Sequence, residues 1–190
     1  MLIKPLGIPD VLLIEPKRHG DERGFFSETY RASLLAEFGF DRLFVQDNHA
    51  RTTGRGILRG MHFQRPPHAQ DKLVKVVAGT IFDVVVDIRR GSPTYGRWAG
   101  TELSAENGRQ ILVPRGFAHG YLTLSEVCDV LYKASDYYAP ETEGGLKWDD
   151  PTVNIEWPLP IGEIRLNARD AAWPDLQALA PADWAAQSAT

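Results

Sequence analysis

Short apolar runs, each closed within a few residues by Gly, Pro, Asn or Asp, constrain this chain more than any other feature. They recur from end to end: VLLIEP, GFFSETY, LFVQDNH, GILRGMHFQ, KLVKVVAG, TIFDVVVDIRRG, GRWAGTEL, RQILVP, HGYLTL and CDVLYKASDYY. Many short strands with turns between them predict an all-β sandwich or barrel. Helix is confined to short pieces. In RASLLAEFG, Leu34, Leu35 and Phe38 fall on one side and Gly39 supplies the stop, and a second short helix is expected over DLQALA. The Ala-rich tail PADWAAQSAT is expected to pack lightly or fray. With 190 residues, 43% of them hydrophobic, the chain suffices for a single domain spanning 1–190.

Side chains alternate across a strand, so parity sorts residues by face. In TIFDVVVDI, Phe82, Val84, Val86 and Ile88 share one face, while Ile81, Asp83, Val85 and Asp87 share the other, which is partly polar. The same rule aligns His62 with Leu58 and Gln64, Gln46 with Asn48, Glu28 with Phe26 and Tyr30, His119 with Phe117 and Tyr121, and Tyr132 with Cys128 and Val130. Polar residues set among large apolar ones on several strands can converge on a ligand cavity in a partly filled barrel. One pair breaks the pattern. A straight strand puts Arg59 on the face opposite His62, so either a bulge or twist is predicted near Gly60, or a phosphate site reached over the strand edge.

A net charge of −4 argues against a surface built to grip nucleic acid, and leaves room for a locally basic pocket that takes a small anion. Cys128 is the only cysteine, so neither an intramolecular disulfide nor a thiolate metal cluster is available, which fits a reducing cytoplasm. Charges and prolines interrupt the N-terminal apolar run, unlike a signal peptide, and no segment approaches membrane-spanning length.

His62 is the first candidate for chemistry, because imidazole takes and returns protons near neutral pH; taken alone, a hydrogen-bonded core histidine is the commoner case. Lys72, which opens LVKVV, can stabilise a developing oxyanion, and Tyr132 can serve as an acid, although a strand-end lysine and a packing tyrosine are the ordinary fates of each. His119 follows a Pro and Gly turn, and Asp170 in LNARD is a carboxylate able to orient a histidine. Arg23, Arg59 and Lys72 are the basic groups nearest apolar strands, where arginine forks suit phosphate oxygens. Tyr137 and Tyr138 can stack on a planar base or simply pack. A metal site is disfavoured: no His-x-His pair occurs, Gln64 stands two positions after His62, and His19, His49, His68 and His119 are scattered.

Taken in order, DERGFFSE, FVQDNH, LRGMHFQ, DKLVKVVAGTIFDVVVDIRRGSPTYG, ELSAENGRQILVPRGFAHGYL, LYKASDYYAPETEGGLKWDDP and LNARD resemble the dTDP-4-dehydrorhamnose 3,5-epimerase family over nearly the whole chain. The resemblance implies a cupin-type jelly roll, working as a homodimer without metal or other cofactor on dTDP-4-dehydro-6-deoxy-D-glucose. It assigns His62 as base, Asp170 as its partner and Tyr132 as acid. Lys72 and His119 match sugar-site residues, and Arg23 and Arg59 match diphosphate contacts. Glu28, Gln46, Asn48 and Glu143 match nucleotide or sugar contacts, and Tyr138 matches the aromatic that stacks on thymine. Arg169 stands where a lysine is common, and Asp71 is an acidic neighbour for Lys72. Competing readings are an epimerase inverting only C3 or only C5, a metal-dependent cupin enzyme, and a silent sugar-nucleotide binding module.

Overall fold

Alternation decides the architecture. In the computed structural model, which describes residues 1–184, one sheet has the order β1 (Leu2–Leu6), β2 (Ile8–Glu15), β10 (Gln110–Val113), β7 (Lys72–Ala78), β12 (Val127–Ala134), β5 (Gln46–Thr53). The second has the order β13 (Glu143–Gly145), β6 (Leu58–Gln64), β11 (Phe117–Thr123), β8 (Thr80–Asp87), β9 (Trp98–Ser104). A separate hairpin joins β3 (Arg18–Asp21) to β4 (Gly24–Ser27), and the only α-helices among the described residues are α1 (Ala32–Ala36) and α2 (Ala168–Ala171). The strands pair antiparallel throughout.

Between the sheets, Ile8, Val11 and Leu13 meet Val74, Val76, Ile81, Val85, Ile111 and Val130 in one apolar cluster. The outer face of the first sheet is covered too, with Leu12, Ile14, Leu73 and Leu112 packing under Leu35 and Phe40. The outer face of the second carries Met61, Phe63, Val84, Val86 and Ala118, sealed by Leu146, Val153, Leu176 and Leu179 of the C-terminal segment. Both faces of β8 are therefore buried. Its partly polar face is the inward one, with Asp83 under the sandwich interior and Asp87 held by Arg89, Ser92 and Thr94.

The structure departs from the sequence reading in several places. β1, β3 and β13 lack an apolar run and form because partners exist for them: β1 on β2, β3 on β4, β13 on β6. DLQALA forms a 3₁₀ turn over Leu176–Ala178 rather than an α-helix. Phe38 is exposed, because α1 ends at Ala36 and helical spacing no longer aims it at the core with Leu35. In LFVQDNH the strand begins only at Gln46, leaving Leu43 and Val45 exposed. Within the tail, Trp184 packs edge-on to Phe63 at 5.9 Å between centroids, and residues 185–190 lie outside the described residues.

The irregularity near Gly60 is present. His62 pairs with His119 and Arg59 with Tyr121, so β6 spends three steps where β11 spends two. The extra residue is accommodated by glycines: a Cβ on Gly60 would come within 2.5 Å of the Gly120 Cα, and Gly60 has φ +142°. As a result Arg59 and His62 line the same cavity.

Candidate active site

The two sheets diverge around a cavity of about 380 Å³. From the first sheet come Gln46 and Asn48 on β5, Lys72 on β7 and Tyr132 on β12, and from the second come Arg59 and His62 on β6, His119 and Tyr121 on β11 and Glu143 on β13. Gln70 and Tyr138 contribute from loops and Arg169 from α2. His62 and Tyr132 thus face the same space from opposite sheets.

Asp170 does not line the cavity but stands behind His62. Its Oδ1 lies 2.8 Å from His62 Nε2, while Oδ2 accepts from the Gly60 N–H at 3.1 Å. Asn167 caps α2 by accepting from the Asp170 N–H at 2.7 Å, which fixes where this nearly fully buried carboxylate sits. Burial pushes the Asp170 carboxyl up, but the His62 hydrogen bond and charge, the Gly60 N–H and Arg169 outweigh it and hold the group below the usual aspartate range. An ionised carboxylate only accepts, so Nε2 of His62 carries a proton, and in the neutral ring Nδ1 is the unprotonated nitrogen.

Across the cavity, burial lowers the Lys72 ammonium to about 8 despite the opposing pull of Asp83 and Glu143. Its Nζ lies 5.9 Å from the centre of the Tyr132 ring, whose phenol is pushed up by burial and so stays protonated. Asp71 points the other way, as alternation requires. It is fully buried, accepts from both Nε and Nη2 of Arg42 at 2.7 Å, and also takes bonds from Arg115 and the Ser135 hydroxyl. Its charge is neutralised away from the lysine.

At the mouth, Glu143 Oε2 accepts from Tyr138 Oη at 3.1 Å and Arg169 Nη1 at 3.0 Å, and Arg169 also approaches Asp170 at 3.5 Å. Gln46 accepts from the Tyr138 N–H and donates to Asn48. Arg59, Lys72 and Arg169 outnumber Glu143 here, so the lining suits an anionic ligand.

Of the residues singled out in the sequence, Arg23 and Glu28 stand apart from the cavity. Arg23 pairs with Asp21 at the tip of the β3–β4 hairpin, and Glu28 pairs with Arg31 just beyond it. Neither strand of this hairpin pairs with a main sheet, and Arg18 ties it instead to the carbonyls of Ala105 and Glu106 after β9, so nothing in the chain's own register carries Arg23 inward. Conversely, Tyr121, Gln70 and Asp83 join the site with no motif of their own. Tyr121 shares parity with His119, which is a signal in the sequence, whereas Asp83 joins the site through its contact with His119 and its charge near Lys72. Among the described residues no cluster of three or more His, Cys, Asp or Glu is placed to hold a metal ion, and no helix is long and apolar enough to cross a membrane.

A β-sandwich whose polar cavity sets a carboxylate-backed imidazole opposite an ammonium and a phenol has the fold and lining of an isomerase of the cupin-like class. The chain belongs to the dTDP-4-dehydrorhamnose 3,5-epimerase family, whose model it matches over residues 5–178. It is 52% identical over 178 residues to the dTDP-4-dehydrorhamnose 3,5-epimerase of Salmonella typhimurium, covering 92% of this chain and 94% of that one. Among solved structures it is similar to the Legionella pneumophila dTDP-6-deoxy-D-glucose-3,5-epimerase in complex with dTDP-4-keto-L-rhamnose, with TM-score 0.89, 47% identity and 94% of each chain covered. It is also similar to a 3'-monoepimerase from Streptomyces bikiniensis in complex with dTDP-quinovose, with TM-score 0.84 and 36% identity, covering 92% of this chain and 87% of that one.

Proposed function

We propose that this chain, as one domain, converts dTDP-4-dehydro-6-deoxy-D-glucose to dTDP-4-dehydro-L-rhamnose by inverting C3 and C5. The observation that carries the reading is the placement of His62, Lys72 and Tyr132 around one cavity, with Asp170 behind the base. The C4 ketone acidifies the hydrogens on both neighbouring carbons, because loss of either gives an enolate conjugated with the carbonyl. His62 Nδ1 takes the proton, Lys72 stabilises the enolate oxygen, and Tyr132 delivers a proton from the opposite side so that the carbon inverts. Arg59 and Arg169 serve the diphosphate end, Tyr138 stacks on thymine, and Gln46, Asn48, His119 and Glu143 hold the nucleotide and sugar. The test is NMR of the protein with this substrate in D2O. Deuterium entry at both C3 and C5 supports the reading, and entry at one carbon only turns it into a single-centre epimerase.

Lys72 must be charged to act, so activity is present below its pKa and lost above it. An alkaline limb near pH 8 in kcat/KM is therefore expected. In Lys72→Arg, whatever its kcat, that limb moves out of range because guanidinium stays protonated. An unmoved limb assigns it to another group.

We further propose a cytoplasmic homodimer, supported by the buried free Cys128 and by exposed Phe25 and Phe26 on the hairpin that bears Arg23. Arg23 and Glu28 then reach the nucleotide in a partner's cavity. Mixing inactive Arg23→Ala and His62→Asn subunits is expected to restore activity, because one site of each mixed dimer draws intact residues from both chains. No recovery in a verified mixed dimer rules the arrangement out.

A further inference from the structure

His119 and His62 are direct register partners on β11 and β6, and each commits its Nε2 to a buried aspartate. Asp83 meets His119 Nε2 with both oxygens, at 2.9 and 3.0 Å, and is fully buried. Other buried carboxylates of this chain act as structural hubs. Asp71 binds two arginines and a serine, Asp87 binds an arginine and two hydroxyls, and Asp150 accepts from the N–H groups of Thr152, Val153 and Leu176. Asp83 instead gives both oxygens to one ring. Burying a carboxylate with so few partners costs stability. What it secures is the tautomer of the imidazole: the carboxylate only accepts, so Nε2 is protonated, and in the neutral ring Nδ1 is the acceptor.

Several acceptors of this cavity are already engaged. Lys72 and Arg59 are donors, Oε2 of Glu143 receives both Arg169 and Tyr138, and the amide oxygens of Gln46 and Asn48 receive the Tyr138 N–H and Gln46. A 4-keto sugar offers donors only through its ring hydroxyls. We propose that Asp83 is a positioning residue that locks His119 in the Nε2–H tautomer, so that Nδ1 accepts from a sugar hydroxyl and sets how C3 and C5 are presented to His62. This rests on the epimerase reading above and extends it to what divides exchange between the two carbons.

The experiment is Asp83→Asn in the D2O assay, alongside His119→Asn and the double variant. The asparagine amide can donate to Nε2, which moves the ring proton to Nδ1 and turns the acceptor into a donor. The expected result is a fall of about tenfold in kcat/KM, the loss of roughly one hydrogen bond. It comes with a changed ratio of deuterium at C3 to C5 and unchanged affinity for dTDP, which lacks the sugar. Read well below pH 8, where loss of the pull of Asp83 leaves the Lys72 ammonium charged, the double variant loses no more than His119→Asn alone, since Asp83 then acts through that ring. A wild-type exchange ratio in Asp83→Asn, or losses that add, overturns the proposal. So does a fall in Tm with the ratio intact, which marks a structural carboxylate. A measurement on the unaltered protein guards against a variant that fails to fold: ¹⁵N shifts showing His119 protonated at Nδ1 and bare at Nε2 overturn it directly. If the wild-type protein exchanges neither carbon, the epimerase reading itself has failed.

Discussion

His62→Asn lowers kcat by about three orders of magnitude, the scale of a lost general base, and removes deuterium entry at both C3 and C5. Both carbons go silent together because a single imidazole serves them. Asparagine is the informative replacement. Its amide can still donate toward Asp170, which keeps the Gly60 N–H and the approach of Arg169, so the buried carboxylate is not abandoned. Melting temperature and dTDP affinity therefore change little, and the loss is chemical. Retention of exchange at one carbon identifies a second base and divides the mechanism between two groups.

Asp71→Asn is expected to be the most destabilising single change near the site, by about 3 kcal/mol, the usual scale when one partner of a buried ion pair is removed. The carboxylate is fully buried and ties Arg42 and Arg115 to Ser135. Arg115 is itself largely buried and forms its ion pair with Asp71, so neutralising that partner strands a charge. On a chain of this size the loss corresponds to a fall of roughly 6–12 °C in Tm, read by calorimetry. The same variant leaves the alkaline limb of kcat/KM in place, because Asp71 faces away from Lys72. A displaced limb shows that the two charges communicate.

The two variants separate what was legible along the chain from what was not. His62 stands out locally, as an imidazole on an apolar strand, and the motif around it carries the family resemblance. Asp71 is an acidic neighbour of Lys72 whose role the sequence leaves open, and the structure makes it a hub on the other side of the sheet. The misplaced Arg59 was legible as a contradiction: strict alternation put it opposite His62, and the irregularity at Gly60 resolves it. Arg23 and Glu28 lie in a motif of the family resemblance, yet in the folded chain they pair with Asp21 and Arg31 away from the cavity.

Alternation, turn chemistry and the identity of the reactive groups are local properties of the chain, which is why the all-β class and the His62, Lys72 and Tyr132 set are readable from the sequence itself. Which aspartate serves which histidine is not a local property. The resemblance names Asp170 as the partner of His62 across 108 residues, and the structure sets the two 2.8 Å apart. Nothing along the chain pairs Asp83 with His119 across 36 residues; strand order, register and the burial of a carboxylate against one ring do so. That contact depends on distant segments packing at once, and only the tertiary structure decides it.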